Sequence, residues 1–161
     1  MASESIQSIE DFAGRPAGEF TRHCGRSLLL DKLVEIGSKH AQCTWTPRAP
    51  MPSISDQDGI PSYLAMECMA QCIAVLAGAR ARLDGLAPPL GLLLGTRSFK
   101  AEASHLISGV DYRVSCRELI RDSQGLASFD CSMASGGATV AACRLIVFEL
   151  LRGAVLDDQS T

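Results

Sequence analysis

Residues 62–81 (SYLAMECMAQCIAVLAGARA) place an acidic side chain inside a strongly apolar segment. Glu67 lies in the first half, and Gln71 follows four residues later, so the two share one face of a helix. Exposed N–H groups near a helix start favour the carboxylate anion, whereas burial favours the protonated acid. If burial dominates, Glu67 can donate a proton to a leaving group. Alternatively, Glu67 pairs with an arginine or caps a strand, and Gln71 completes its hydrogen bonds.

A second reactive group would separate these two interpretations, and the chain contains three histidines. His40 lies in a polar turn and His105 in a loop-like segment, so both are expected at the surface. His23 comes shortly before a glycine and an apolar strand, which would fix it at the entrance of that strand. Imidazole is the side chain suited to act as a base near neutral pH, although a lone histidine is usually just a polar residue.

The elements that must position these residues follow from apolar spacing and chain breakers. Residues 6–13 carry apolar side chains at helical spacing and predict a short N-terminal helix. Residues 27–37 and 41–46 predict a β-hairpin. Residues 47–62 contain four prolines and predict a long irregular loop, a kind of loop that is often functional.

One long helix and four strands are expected after this loop. The helix is predicted to begin at Pro61, because proline has no N–H to lose in a first turn, and to end near residues 82–85. Residues 90–102 predict a strand in which Gly95 is either a bulge or a point of close approach. Hairpin turns divide three further β-rich stretches, at 111–119, 125–135 and 138–150.

This order of elements predicts an α+β hotdog fold, in which an antiparallel sheet wraps around one long central helix. The helix is apolar on every side, so it must be covered on every side, and its many small residues let a curved sheet approach closely. We expect residues 1–161 to form a single domain, with a core at about 20–152 and a flexible tail at 155–161.

Composition limits the classes of function. The chain has 161 residues, of which 47% are hydrophobic and 20% charged, with a net charge of −3, so neither disorder nor general nucleic-acid binding is expected. Seven cysteines without a CxxC pair predict small buried side chains in a reducing compartment rather than a metal site. Residues 62–81 are long enough to span a membrane, but Glu67, Gln71 and Arg80 would be costly there. We therefore expect a cytoplasmic protein with no membrane span.

Three segments resemble the 3-hydroxyacyl-[acyl-carrier-protein] dehydratases. RHCGRSLLLDKLVEIG, from residue 22, resembles their PHRxPMLLLDRVLE opening, and GIPSYLAMECMAQCIAVLAG, from residue 59, resembles their PGxxxxEAMAQ helix. LGLLLGTRSFKAEASHLISGVDYRV, from residue 90, resembles their later strands, particularly in the branch dedicated to aryl polyene pigments. The similarity extends from about residue 20 to 150, and the helix motif is its most specific part.

The resemblance implies dehydration of 3-hydroxyacyl thioesters to trans-2-enoyl thioesters, in fatty-acid-like or aryl polyene biosynthesis, without a metal or cofactor. It implies that His23 is the base and that Glu67 is the acid, kept uncharged in an apolar cavity. Gln71 would orient Glu67. The backbone N–H of Ser62 or Tyr63, at the helix start, would stabilise the thioester oxygen as it gains negative charge.

The resemblance also implies partners. The substrate would be carried by an acyl carrier protein, and its acyl chain would need a dry tunnel, for which Leu92, Leu93 and Leu94 are candidates. In hotdog dehydratases two protomers join so that each site draws on both chains, so we expect a homodimer or a heterodimer with another hotdog subunit.

One departure from the family leaves alternatives open. The fatty-acid members carry their catalytic histidine in a GHFPG loop fourteen residues before the glutamate, and Ser53 occupies that position here. Either His23 has become the base, or the chain is a non-catalytic hotdog subunit that binds acyl thioesters or stabilises an active paralogue. An acyl thioesterase of the same fold is a further alternative, in which a carboxylate activates water and no histidine is required.

Overall fold

A long helix packed against an antiparallel sheet forms the centre of the molecule. The computed structural model describes residues 8–48 and 59–150. The strands and helix are, in chain order, β1 Lys32–Ile36, β2 His40–Trp45, β3 Ile60–Pro61, α1 Leu64–Leu83, β4 Gly91–Ala101, β5 His105–Leu106, β6 Tyr112–Arg121, β7 Leu126–Ser135 and β8 Ala138–Glu149. Three short 3₁₀ helices precede β1, at Ile9–Phe12, Ala17–Glu19 and Gly25–Ser27.

Six of these strands form one antiparallel sheet in the order β1-β2-β6-β7-β8-β4, and the two-residue strands β3 and β5 pair separately. Side chains alternate across the sheet, as expected for strands with one face on a core. In β6, for example, Val114 and Cys116 are buried, whereas Arg113 and Arg117 are exposed. The helix α1 packs on the buried face, most closely against β2 and β6. This arrangement confirms the predicted hotdog fold.

The hairpins were predicted correctly, because both their turn residues and their alternation are explicit in the sequence. β1 pairs with β2, β6 with β7 and β7 with β8, each antiparallel. The bulge, one of the two alternatives predicted at Gly95, is confirmed, since the register between β4 and β8 shifts between Leu93 and Gly95. The predicted N-terminal helix is a single 3₁₀ turn, Ile9–Phe12, capped by the Ser8 hydroxyl.

The helix α1 begins at Leu64, three residues later than predicted. Pro61 pairs instead with His105 between β3 and β5, and the Ser62 N–H donates to the Ser104 carbonyl at 3.0 Å. These long-range contacts hold the chain extended through Pro61, and Ser62 and Tyr63 form the turn that leads into α1. The predicted end of the helix is correct, with Asp84 as the C-cap.

The apolar core extends further toward the N-terminus than the predicted boundary near residue 20. Phe12 and Ala17 are fully buried, and the rings of Phe12 and Phe20 lie 5.0 Å apart. The tail predicted at 155–161 and most of the predicted loop at 47–62, including Ser53, lie outside the described residues.

The interior location of α1 explains its membrane-like composition. Within the described part of the chain, α1 is the one helix long and apolar enough to cross a bilayer, yet more than half of its apolar window is buried in the protein. Cys72, Val75 and Leu76 are among its fully buried residues. A core helix wrapped by a sheet meets the same length and hydropathy criteria as a membrane span.

All seven cysteines are free thiols, and six of them are buried, as predicted for small core side chains; Cys24 is exposed, against that prediction. Cys116, Cys131 and Cys143 lie side by side across β6, β7 and β8. Burial raises the pKa of the Cys68 and Cys131 thiols, so both remain protonated. Among residues 8–48 and 59–150, no group of His, Cys, Asp and Glu side chains is arranged to hold a metal ion.

Gly78 lets the chain before His23 cross α1 at close range, and this contact gives a first prediction. A Cβ at residue 78 would collide with the carbonyl oxygen of Phe20. Alanine normally stabilises a helix relative to glycine by about 1 kcal/mol. Here we expect Gly78→Ala to lower the free energy of unfolding by about 1–3 kcal/mol, the usual cost of overpacking.

Chemical denaturation of Gly78→Ala would measure this effect. Gly95→Ala is the matched control, because no atom lies within 4 Å of a Cβ built there. We expect the control to change the free energy of unfolding by less than about 0.5 kcal/mol. Equal stability of Gly78→Ala and wild type would show that the backbone at Phe20 is not in close contact with α1 at residue 78.

Candidate active site

His23 and Glu67 meet at the surface of α1. Nε2 of His23 lies 3.8 Å from Oε1 of Glu67, close enough for an ion pair but too far for a direct hydrogen bond. The side chains are 35% and 48% exposed, respectively, so both face open space. Both residues belong to the same chain.

Thr21 fixes the orientation of the His23 ring. Its Oγ1 lies 2.7 Å from Nδ1 of His23 and also accepts the His23 backbone N–H at 3.3 Å. A hydroxyl oxygen has two lone pairs and can accept both bonds. If Nδ1 donates to Thr21, then Nε2 carries the free lone pair, and that nitrogen faces Glu67. Thr21 is itself buried.

Gln71 ties Glu67 to the segment that follows His23. Its fully buried amide donates to Oε1 of Glu67 at 2.9 Å and to the Ser27 carbonyl at 2.7 Å. Its oxygen accepts the Leu29 N–H at 2.9 Å. The oxygens of Glu67 and Ser27 can only accept, so they must face the NH₂ group of the amide. The Leu29 N–H can only donate, so it must face the amide oxygen, and the three bonds together define the orientation of the amide. The amide thus limits the positions that the Glu67 carboxylate can take.

An apolar cavity of about 380 Å³ opens beside this pair, within the size range of ligand sites. One wall is a face of α1 that includes Glu67, Ala70, Ala74 and Ala77, and His23 and Thr21 lie at one end. The facing wall comes from β4 and β8, through Leu92, Leu93 and Val147. Two of the three predicted tunnel leucines therefore line the cavity. Leu94 does not, and its side chain is 58% exposed.

The buried carboxylate expected at Glu67 is not found in this chain. The face of α1 that packs against β2 and β6 carries Cys72, whose thiol contacts the carbonyls of Ala41 and Val114. Glu67 lies on the face that borders the cavity. The sheet therefore does not cover it. A carboxylate at the edge of an apolar cavity loses its water only when something else fills or covers that cavity.

Ser62 and Tyr63 lie just before α1 but do not line the cavity. The Ser62 N–H already donates to the Ser104 carbonyl, so it cannot serve an oxyanion without losing that bond. The Tyr63 N–H has no hydrogen-bond partner among residues 8–48 and 59–150, and the Tyr63 side chain is 63% exposed. Of the two backbone N–H groups predicted, that of Tyr63 is therefore the one available within the described residues.

A cluster of charges closes the other end of the cavity. Arg121 donates to Glu149 at 2.9 Å and to Glu118 at 3.0 Å, and Arg80 donates to Glu118 at 2.7 Å. Burial opposes ionisation of Glu118, but the hydrogen bonds from Arg80 and Arg121 outweigh it and lower the pKa of its carboxyl. Sequence reasoning missed this cluster because its members come from α1, β6 and β8.

Thr21 was also missed, although its position two residues before His23 was a visible signal. A hydroxyl at that spacing can bond both the backbone and the ring of the histidine. The other two histidines lie at the surface, as predicted. His40 contacts Glu35 at 3.2 Å, with both side chains exposed, and His105 lies exposed in β5.

The fold and this acid–base pair together define a hotdog-fold protein with an apolar cavity beside a histidine and a glutamate. Comparison with known proteins then identifies the family. The chain belongs to the ApeP-like family, whose model, described as ApeP dehydratase, matches residues 15–154. No curated protein matches the sequence significantly.

Solved structures share the fold at low sequence identity. The dehydratase heterocomplex ApeI:P from Xenorhabdus doucetiae is 22% identical, over 86% of this chain and 93% of that chain, with a TM-score of 0.78. A hypothetical thioesterase with coenzyme A from Streptococcus pneumoniae TIGR4 is 9% identical, over 73% and 84%, with a TM-score of 0.57. The E. coli PaaI protein from the phenylacetic acid degradation operon is 11% identical, over 74% and 79%, with a TM-score of 0.58.

The family assignment confirms three predictions made from the sequence. They are the resemblance to hotdog dehydratases of the aryl polyene branch, the enzyme class, and the dehydration of 3-hydroxyacyl thioesters. The roles of individual residues, the carrier and the partner subunit stay predictions.

Proposed function

We propose that this chain removes water from 3-hydroxyacyl thioesters held by an acyl carrier protein, with His23 as the base and Glu67 as the acid. The 3.8 Å approach of these two groups beside an apolar cavity is the observation that carries the proposal. An acyl chain would occupy the cavity, and its C2 and C3 atoms would lie against the pair.

The base acts first at C2. Nε2 of His23 takes a proton from C2, while Thr21 holds Nδ1 and stabilises the imidazolium that forms. The electrons of the C2–H bond become the C2–C3 double bond, and the thioester oxygen gains negative charge on the way. The N–H of Tyr63, which has no partner in residues 8–48 and 59–150, is the candidate donor for that oxygen.

The acid acts at C3. Glu67 gives its proton to the C3 hydroxyl, the C3–O bond breaks and water leaves, so the carboxylate is left beside an imidazolium. The proton on His23 can then return to Glu67 across the short gap, which restores both groups. Two groups this close favour loss of the proton and the hydroxyl from the same face of the substrate.

Substrate binding would remove from the Glu67 carboxyl the water that the chain alone leaves in contact with it. Glu67 must be protonated to act as the acid, and its side chain is 48% exposed here. An acyl chain in the cavity would displace water from the carboxyl and favour its neutral form. A partner subunit over the adjoining surface would do the same.

We propose a second hotdog subunit as that partner. Within the described part of the chain, the edge strand β4 has no neighbour on one side. It exposes Leu92, Leu93 and Leu94, a combination that favours edge-to-edge pairing. A heterodimer is supported by the similarity to the ApeI:P heterocomplex, and a homodimer uses the same edge. The single-domain organisation and the cytoplasmic location stay proposals from the sequence.

Incubation of the chain with a 3-hydroxyacyl carrier-protein thioester, followed by mass analysis, tests the function. Loss of one water from the intact thioester is the expected result. Release of a free thiol would instead identify a thioesterase. Turnover only after addition of another hotdog subunit would show that the added subunit is needed to complete the site. Loss of that turnover with Glu67→Gln would then assign the acid to this chain, and unchanged turnover would assign the catalytic groups to the partner.

A further inference from the structure

The cavity beside His23 and Glu67 ends at an ion pair, and we propose that this end wall sets the length of acyl chain that the site accepts. The wall consists of the Arg121–Glu149 pair with Ala77 and Pro89 beside it. This inference rests on the proposed function, since it takes the cavity as the site of the acyl chain.

A second cavity lies behind this wall. It measures about 720 Å³ and is lined in part by Arg80, Asp84 and Glu118. Ala77, Pro89, Arg121 and Glu149 line both cavities, so these four residues form the partition between them. An acyl chain that enters beside His23 therefore meets the partition before it reaches the second space.

The distance along α1 gives the length of the first cavity. Its helical wall extends from Glu67 to Ala77, ten residues that span about 15 Å of helix, comparable to an extended chain of roughly a dozen carbons. The residues between them on this face include Ala70 and Ala74, whose small side chains leave the space open. Ala77 is the residue that α1 contributes to the partition, so a larger side chain there would shorten the cavity.

The partition is held by several elements at once. Arg121 bonds both Glu149 and Glu118, and Glu118 also accepts from Arg80, which donates through Nε to the Ser38 carbonyl at 3.0 Å. The Arg121 guanidinium is thereby held by contacts that involve β6, β8, α1 and the β1–β2 turn. A methyl end cannot displace such a pair cheaply, because it would take the partly buried Glu149 carboxylate away from Arg121.

Two substitutions move the wall in opposite directions. Ala77→Leu fills the end of the first cavity, whereas Glu149→Ala opens the partition and leaves Arg121 bonded to Glu118. Ala81→Leu is the matched control, because Ala81 lines only the second cavity. Circular dichroism and thermal denaturation would establish that each variant is folded.

The measurement is calorimetric binding of 3-hydroxyacyl pantetheine amides of increasing chain length to the full-length chain. These probes carry an amide in place of the thioester, so binding is measured without turnover. We expect Ala77→Leu to lower the affinity ratio of long to short chains by about tenfold or more, the effect of a methylene or two in an apolar pocket. Glu149→Ala should raise that ratio, and Ala81→Leu should leave it unchanged.

A shift of the length profile in the stated direction, in either variant, supports the assignment. Identical profiles for wild type, Ala77→Leu and Glu149→Ala would overturn it. If the length profile shifts but the chain eliminates no water, the role of the end wall in chain-length selection is supported and the proposed dehydratase function is refuted. The two proposals therefore fail separately.

Discussion

Glu67→Gln is expected to lower the rate of water elimination from a 3-hydroxyacyl thioester by about 10²–10⁴-fold, the usual contribution of a general acid. The amide matches the carboxyl in shape, and its oxygen can still accept the bond from Gln71, so folding should be unaffected. It has no acidic proton to give to the C3 hydroxyl. Single-turnover kinetics with the thioester substrate would measure the loss.

Glu35→Gln is the matched control for this variant. Glu35 also lies beside a histidine, with Oε1 3.2 Å from Nε2 of His40, but this pair is at the surface and outside the cavity of the site. We expect wild-type turnover from the control. If Glu67→Gln kept wild-type rates, Glu67 would have no part in the mechanism.

His23→Ala is expected to lower turnover by a similar factor, about 10²–10⁴-fold, because no other base lies at Glu67 among the described residues. The loss should fall on kcat rather than on KM, since the imidazole acts on the C2 proton and the cavity wall is otherwise intact. Steady-state kinetics across a range of substrate concentrations would separate the two parameters.

His40→Ala serves as the control, since it removes an imidazole from an equivalent surface pair. Exchange of the C2 hydrogen with deuterated solvent adds a direct readout of the base, and we expect His23→Ala to stop it. Full activity in His23→Ala would mean that the base lies elsewhere, for example in the segment that contains Ser53 or in a partner subunit.

Local signals in the sequence were sufficient to predict most of the fold. The alternation in β6 and β7 and the turns at Asp122–Gly125 and Gly136–Gly137 act over a few residues, so they can be recognised without coordinates. The same is true of the Glu67–Gln71 spacing on α1, which the structure shows as a direct hydrogen bond.

The remaining features depend on contacts between distant segments. The late start of α1 follows from the pairing of Pro61 with His105, which lies more than forty residues away along the chain. The exposure of Glu67 depends on which face of α1 the sheet leaves open. The composition of α1 predicts burial in general, but not which of its sides borders a cavity.

The buried row of thiols has a consequence for handling the protein. Cys116, Cys131 and Cys143 stay reduced in the native state because water, oxidants and base cannot reach them. Unfolding removes that shielding from all three at once, and burial then no longer raises the pKa of the Cys131 and Cys143 thiols. Denaturation in air would cross-link the chains and prevent refolding, so reversible equilibrium measurements require a reducing agent throughout.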